Sequence, residues 1–358
     1  MRLSRLTLLF GIVLVGGCNH APPLPDDLSR AQAAERSQDS PGSALADYEA
    51  IVGECRQKPR TAAKDPCGTA AFRLAQQLEQ AGRLAEAATT FIEVRSLSTD
   101  GRTIARALVR AALLYADRLK QPAEALRLCR EVIPRWPDEV PAEDALRLLV
   151  ELETAADDPG LIDELGRLAD ALHEHEVVGS FALYHRARLL VQRQQPAAAL
   201  AAYDAIWQRF PSGPLFDDSL VEAAKLLRGL SRSAEAAQRI ERLEASFQSS
   251  IIVGHYNKLL LDEGALLLGE LYLHDLGQPE RAIAALDRLL RRQKTSLLCD
   301  DALLLMAEAA LRRHSPPTPD DTGDACRYLT RLLRDYPDGN RVRRATEKQA
   351  QLGCSTRR

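Results

Sequence analysis

The sequence is poor in aromatic residues, in methionine and in tryptophan. Only 5% of its 358 residues are Phe, Trp or Tyr, and it contains two Met and two Trp. β-Branched residues are also thinly spread, whereas Ala, Leu, Arg and Glu, which include the better helix formers, dominate. The composition therefore argues against a sheet-based fold and predicts a chain that is helical almost throughout.

A strong excess of charge of either sign is also lacking. The chain carries 47 Lys and Arg against 50 Asp and Glu, a net charge of −3, which is unlike the basic profile of nucleic-acid-binding domains. With 46% hydrophobic residues it has enough apolar material for a core, so disorder is not expected. Residues 326–358 are locally basic; they form either a contact to anionic lipid or polymer or a solvated terminal helix.

Long apolar runs are missing except at the start of the chain. Residues 6–15 are apolar, Arg2 and Arg5 precede them, and two glycines lead into Cys18. The run is too short for a membrane-spanning helix, which needs about 20 residues. This pattern predicts a secretion signal over residues 1–17.

The four residues Val-Gly-Gly-Cys at 15–18 resemble the lipobox of bacterial lipoproteins. The resemblance implies that Cys18 is lipidated and that its acyl chains, palmitate among them, hold the protein on a membrane. An ordinary leader that ends near a cysteine is the alternative. Asn19 resembles the residue found in lipoproteins sorted to the outer membrane, which implies the periplasmic face of that membrane. Residues 18–27 are Pro-rich and are predicted to form a flexible tether.

From about Leu28 onward, apolar stripes of helical period alternate with short polar breaks. A pattern recurs: a small Ala, a larger residue four positions later, an apolar residue three after that, and then an aromatic-Pro end. Close copies begin at Ala125, Ala199 and Ala325. Looser copies begin at Ala44, Ala87, Ala236 and Ala282, and a degenerate unit covers Leu161 to Leu172.

This repeat resembles the tetratricopeptide repeat, in which a small residue lets the two helices of a unit approach closely. Gly82 and Gly277, each five residues before the small Ala, match the turn glycine of that family, although its Trp-x-x-Leu-Gly opening is poorly kept. The resemblance implies an all-α fold, a right-handed α-solenoid of stacked antiparallel helix pairs, over residues 28–353. A short basic tail would follow at 354–358.

The aromatic-Pro ends and the Asp-Ala-Leu starts, such as Asp144 to Leu146, resemble the periplasmic repeat lipoproteins of the barrel-assembly and Tol-Pal systems. The resemblance implies a membrane-anchored scaffold for protein partners in an envelope assembly, in barrel assembly, division or a secretion or motility apparatus. Two alternatives stay open: an accessory protein of peptidoglycan or polysaccharide processing, and a structural spacer.

In such a solenoid the first helix of each pair lines an inner groove that can hold a peptide or a partner helix. The repeat phase nominates a mixed aromatic and basic strip suited to an acidic or C-terminal peptide segment. Its candidate residues are Arg110, Tyr184, Arg188, Lys225 and Arg228. The alternative is that these cations only keep the surface soluble.

Catalytic and metal-binding patterns were not found in the sequence. The segment His173 to Glu176 resembles the start of a zinc-protease motif. That motif needs a second histidine ligand at its fifth position, where this sequence has Val177. There is no phosphate-binding Gly-Lys loop, no Gly-x-Ser-x-Gly elbow and no Cys-x-x-Cys pair. We therefore expect no enzyme activity, no cofactor and no metal.

The cysteines raise the possibility of disulfides, since an exported chain enters an oxidising compartment. Cys55 and Cys67 flank one loop and could form a bridge or remain two thiols. Cys326 and Cys354 would meet if the last two helices pack antiparallel. Cys129 occupies an apolar repeat position and is predicted to be a core residue.

Overall fold

A computed structural model of the chain describes residues 24–37, 41–57, 65–249, 258–292 and 294–354. Across these ranges the chain forms helices and connecting turns, without a strand. The all-α prediction is thus confirmed. The predicted leader 1–17 and Cys18 lie outside the described residues.

The helices follow one another in the order α1 (Leu24–Ser37), α2 (Pro41–Gln57), α3 (Pro66–Gln80), α4 (Leu84–Leu97), α5 (Gly101–Leu113), α6 (Pro122–Arg135), α7 (Val140–Ala155), α8 (Leu161–Ala171), α9 (Glu176–Gln192), α10 (Pro196–Arg209), α11 (Phe216–Gly229), α12 (Ser233–Ser249), α13 (Lys258–Glu270), α14 (Pro279–Arg292), α15 (Cys299–Ala310), α16 (Pro319–Asp335) and α17 (Val342–Leu352). Short π-helical turns, Leu114–Arg118 and Leu271–Asp275, extend α5 and α13. We call the odd-numbered helices from α3 to α15 first helices and the even-numbered helices from α4 to α16 second helices, after their order in the sequence repeat.

The chain divides into two compact units, residues 1–121 and 122–358. The first unit contains α1 to α5 and the second contains α6 to α17. The sequence predicted a tetratricopeptide-like solenoid over 28–353 without naming a boundary inside it, and that range stays a prediction. The repeat pattern is local and is the same on both sides of residue 121, which is why it carries no signal of the boundary.

The first described helix begins earlier than expected. α1 starts at Leu24, inside the segment 18–27 that was predicted to be a tether. Pro25 lies in its first turn, where the missing N–H costs little, and Asp26 and Asp27 follow it. The flexible tether over residues 18–27 stays a prediction, since most of that segment lies outside the described residues.

The small alanines that define the repeat are buried. Ala44 is 2% exposed, and the six others are 0% exposed: Ala87, Ala125, Ala199, Ala236, Ala282 and Ala325. The larger residues four positions later, such as Tyr48, Phe91 and Leu329, are buried beside them. The predicted repeat phase is therefore confirmed, and these positions form the interior of the helix pairs.

The pair α7 and α8 is the exception that shows what the small residue does. Its second helix carries Ile162 where the other second helices carry the small alanine, and this side chain is only half-buried. α8 packs on α9 and makes only marginal contact with α7. An isoleucine is too large for the close approach that alanine permits, so this pair stays open.

Five of the turns between a first and a second helix use a left-handed residue five positions before the small alanine. Gly82 (φ 77°) and Gly277 (φ 62°) adopt this conformation, as the resemblance implied. Lys120, Gln194 and Ser231 adopt it as well, with φ between 54° and 58°. Side chains with a Cβ are disfavoured in this region, so the three non-glycine turns hold conformational strain that the sequence did not reveal.

Arginine–carboxylate pairs connect successive second helices. Arg239 of α12 donates two hydrogen bonds to Asp204 of α10 at 2.9 and 2.8 Å. Arg281 of α14 donates to Glu241 of α12 at 2.7 Å. The bidentate geometry favours one register of stacking, since a shifted helix would leave both charges unpaired.

Both cysteine pairs singled out in the sequence are joined as disulfides. Cys55 of α2 is bonded to Cys67 of α3 with their Cα atoms 5.8 Å apart. Cys326 of α16 is bonded to Cys354, just beyond α17, with a Cα separation of 5.6 Å. Cys129 is fully buried in α6, where burial raises the pKa of its thiol to about 12, as suits a small core residue.

Candidate partner-binding cleft

A cleft of about 320 Å³ opens between the first helices α9 and α11 in the second unit. α10 closes its floor with Tyr203, which is 2% exposed. The walls are formed by side chains on one face of α9 and on one face of α11. They are Arg188, Val191 and Gln192 of α9, and Glu222, Lys225 and Leu226 of α11.

The cleft carries a surplus of positive charge. Lys225 is paired with Glu222, its Nζ atom lying 2.8 Å from a carboxylate oxygen. Arg188 is exposed, and within the described part of the chain it has no salt-bridge partner. A guanidinium presents its donors in a planar fork that matches a carboxylate. The cleft can therefore accept one carboxylate at Arg188.

Aromatic side chains hold the floor of the cleft in place. The rings of Tyr184 and Tyr203 meet edge to face with centroids 5.9 Å apart, a favourable geometry for aromatic pairs. Burial raises the pKa of both phenols, so both stay neutral. The floor offers an apolar surface beside the cation at Arg188.

His185, on α9 beside Tyr184, is held in its neutral form. Its ring lies 6.3 Å from that of Tyr184 and 6.4 Å from that of Phe181, measured between centroids. Burial and the nearby cations Arg188 and Arg147 lower its pKa to about 4. At neutral pH the imidazole thus adds no charge, and the positive character of the cleft comes from its arginine and lysine.

Two of the five nominated residues do not contribute to the cleft. Arg228 is neutralised by Glu270 at 2.5 Å and by Asp275 at 3.0 Å. Arg110 lies in the first unit, where its guanidinium is 2.8 Å from Glu79. The nominated strip as a binding surface stays a prediction, and the structure shows only that Arg110 and Arg228 are paired with carboxylates. Repeat phase identifies which face of a helix a residue lies on, but not whether a neighbouring repeat neutralises it.

The cleft residues that the sequence reasoning missed follow from the same helical period. Val191 and Gln192 lie three and four positions after Arg188 and hence on the same face of α9. Glu222 lies three positions before Lys225 on α11, and Leu226 lies four positions after Glu222. Extending the nominated cations by helical spacing would have found Val191, Gln192 and Glu222, and a further step from Glu222 would have found Leu226.

The remaining sequence features are also accounted for. His173 is exposed and His175 lies at the start of α9, its Nδ1 atom 2.8 Å from Asp138. Within the described ranges there is no group of three or more side chains suited to hold a metal ion. No described helix has both the length and the apolar character needed to cross a bilayer.

Two segments of the chain match models of the tetratricopeptide repeat, residues 181–213 and 266–340. The first covers most of α9 and the whole of α10, which form one wall and the floor of the cleft. The second covers the last five residues of α13 and its π-helical extension, and continues through α14, α15 and α16. No curated protein matches the chain.

Solved structures similar to this chain include tetratricopeptide-repeat proteins. A tetratricopeptide repeat protein from Parabacteroides merdae is 16% identical, with 79% of this chain and 98% of that chain covered and a TM-score of 0.33. The TPR2AB domain of yeast Sti1, solved in a complex with pHSP90, is 12% identical, with 80% of this chain and 98% of that chain covered and a TM-score of 0.29. Similarity at this level carries no argument about partners.

The two segments that match the repeat models coincide with helices that pack as consecutive pairs in the structure. The pairs α9/α10 and α13/α14 that the repeat models cover contain the buried alanines Ala199 and Ala282. Repeats of this kind suggest a scaffold for protein–protein interaction. This chain is thus an all-α solenoid of helix pairs that contains tetratricopeptide repeats within residues 181–213 and 266–340.

Proposed function

We propose that this protein is a lipid-anchored scaffold of the bacterial envelope that binds an acidic or C-terminal peptide segment of a protein partner in the cleft between α9 and α11. The observation that carries the binding proposal is the exposed guanidinium of Arg188 above the buried ring of Tyr203. A peptide carboxylate would pair with Arg188, while a neighbouring apolar side chain would lie against Val191 and Leu226.

The proposed location is supported by the leader pattern, by Cys18 and by the disulfides. Two disulfides, Cys55–Cys67 and Cys326–Cys354, are expected in an oxidising compartment and are rare in the cytosol. Two or more acyl chains on Cys18 would give stable membrane attachment, whereas one chain gives only marginal binding. The envelope process would then be defined by the partner.

The anchor is tested by fractionation. We expect the Cys18→Ala variant to appear in the soluble fraction of cells, because it has no thiol to receive lipid. The Cys129→Ala variant, which changes a buried cysteine of α6, is the matched control and should stay with the membranes. Persistence of Cys18→Ala in the membrane fraction after a salt wash would rule the anchor out.

The cleft is tested with immobilised peptides of random sequence that end either in a free carboxylate or in an amide. The full chain should retain carboxylate-ended peptides in preference to amidated ones, and Arg188→Glu should abolish this preference. Arg186→Glu is not a suitable control, since that side chain is partly buried. Arg193→Glu, at the end of α9 and outside the cleft, should bind as the wild type does. An equal loss in both variants would contradict a role for the cleft.

A further inference from the structure

The last second helix, α16, presents a face that no further second helix covers within the described residues. α17 follows it and packs on it, and residues 353–354 end the described chain. A cleft of about 620 Å³ lies between α16 and the end of α17. It is lined by the disulfide Cys326–Cys354, by Leu352, and by Arg327, Arg331 and Arg334 of α16.

In the preceding repeats, the corresponding face of the second helix forms an ion pair with the second helix that follows. The position five residues after the small alanine carries an acid in three second helices, namely Asp204, Glu241 and Asp287. Asp204 and Glu241 each receive an arginine from the second helix that follows. In α16 the same position is Thr330. The carboxylate that would meet a following arginine is therefore absent.

One inner unit shows the pairing with its polarity reversed. In α6 the residue five positions after Ala125 is Arg130. The second helix that follows, α8, brings Glu164 to it at 2.8 Å. A second helix that presents a cation at this face is thus met by a helix that brings a carboxylate.

α16 presents three cations on this face. Arg327, Arg331 and Arg334 are spaced i, i+4 and i+7, so they share one side of the helix. Arg327 and Arg334 are 77% and 71% exposed. Their carboxylate partners are Asp324 and Asp335, both on α16 itself.

These two carboxylates do not neutralise the face. Asp335 is shared between Arg331 and Arg334. Asp324 is shared with Arg313, which lies 2.6 Å away on its other side. The face therefore keeps a surplus of positive charge.

We propose that an acidic amphipathic helix of a partner protein docks in the cleft between α16 and α17, in the place where a further second helix would pack. Its carboxylates pair with Arg327, Arg331 and Arg334, as Glu164 pairs with Arg130, and its apolar side chains contact Leu352 and the disulfide. This site is separate from the cleft at Arg188 and does not depend on the function proposed for it.

The test uses a stapled helical peptide with Glu at positions i, i+4 and i+7 and Leu on the adjoining stripe, together with a matched peptide that carries Gln in place of Glu. We expect the full chain to bind the Glu peptide at least tenfold more tightly than the Gln peptide, by fluorescence anisotropy. The Arg327→Gln/Arg334→Gln variant should lose at least tenfold in affinity for the Glu peptide. Raised salt should weaken binding as well.

The controls separate this site from general charge effects. Arg343→Gln removes a cation of α17 that is 91% exposed and lies outside the cleft, so this variant should bind the Glu peptide as the wild type does. The Arg327→Lys/Arg334→Lys variant should keep most of the affinity. A thermal melt of each variant shows that it is folded.

Three results would overturn the proposal. The first is equal binding of the Glu and Gln peptides. The second is undiminished binding by folded Arg327→Gln/Arg334→Gln. The third is that the Glu peptide fails to bind, while the Arg327→Gln/Arg334→Gln variant loses another activity of the wild type. Loss of binding to phosphatidylglycerol vesicles would mean that the face serves a lipid surface. Loss of dimer formation in sedimentation experiments would mean that it serves a second copy of the chain.

Discussion

At the scale of single residues, packing depends on small side chains where two helices approach closely and on uncharged side chains among aromatic rings. The seven repeat alanines are at most 2% exposed, and His185 is uncharged within its aromatic surroundings. Both features give predictions, because a change of size or of charge at these positions has a defined cost.

Replacing Ala199 with Phe should destabilise the chain by about 1–3 kcal/mol, because the larger ring overpacks the α9/α10 pair. Ala201→Phe is the matched control, since Ala201 is exposed on the same helix and its change should fall within about 0.5 kcal/mol. Denaturant unfolding of both variants measures the difference. Equal stability of the two variants would mean that Ala199 does not control the approach of the two helices.

His185 should make the folded state less stable in acid. Its pKa is lowered from 6.5 to about 4 by folding, so the unfolded chain binds the proton more readily between these values. Stability is then complete above about pH 6.5 and falls as the pH drops toward 4. Asp217 acts in the opposite direction, because burial raises its pKa to about 6.

The contribution of His185 is therefore isolated by comparison with the His185→Phe variant. We expect the difference in unfolding free energy between the wild type and this variant to change by about 1–3 kcal/mol between pH 7 and pH 4. His173→Phe, at an exposed histidine, is the control for the replacement of a histidine by phenylalanine as such. A difference between wild type and His185→Phe that is constant with pH would contradict the neutral assignment.

At the scale of helices and turns, the sequence predicted more of the second helices than of the turns between helices. A small alanine followed by a larger residue is a local pattern, so the phase of α10 or α14 can be found from a few residues. The left-handed turns at Lys120, Gln194 and Ser231 have no such pattern, because only glycine identifies that conformation in a sequence. The open α7/α8 pair was visible only as a degenerate copy.

Gln194→Gly should stabilise the chain by up to about 1 kcal/mol, because glycine adopts a φ of 56° without the Cβ clash. The gain is limited, since glycine also has more freedom in the unfolded state. Gln208→Gly, in the exposed part of α10, is the control and should lose about 1 kcal/mol. Thermal unfolding that shows Gln194→Gly to be as destabilised as Gln208→Gly would contradict the strained turn.

The charged side chains show why the site was only partly predictable at this scale. Arg228 is neutralised by an aspartate 47 residues away and Arg110 by a glutamate 31 residues away. Such distances span about one repeat, so the pairing depends on how repeats stack. The sequence correctly places these arginines on first helices. How the repeats stack determines which of them lacks a carboxylate from a neighbouring repeat and can bind a partner.

At the scale of the whole molecule, the chain offers two cationic sites in its second unit, the cleft at Arg188 and the cleft at α16 and α17. The acidic net charge of −3 gives no sign of either, because most carboxylates are used in pairs between or within helices. Two separate sites suit a scaffold that holds two partners, or two parts of one partner, at a fixed spacing.

The central claim is that a partner occupies the cleft between α9 and α11. It is tested most directly by placing a photo-crosslinking amino acid at Val191, inside the cleft, or at Gln208, on the exposed face of α10, in living cells. We predict one discrete protein adduct from position 191, its loss when Arg188→Glu is added, and none from position 208. Adducts of equal yield from both positions, or an adduct from position 191 that survives Arg188→Glu, would contradict the claim.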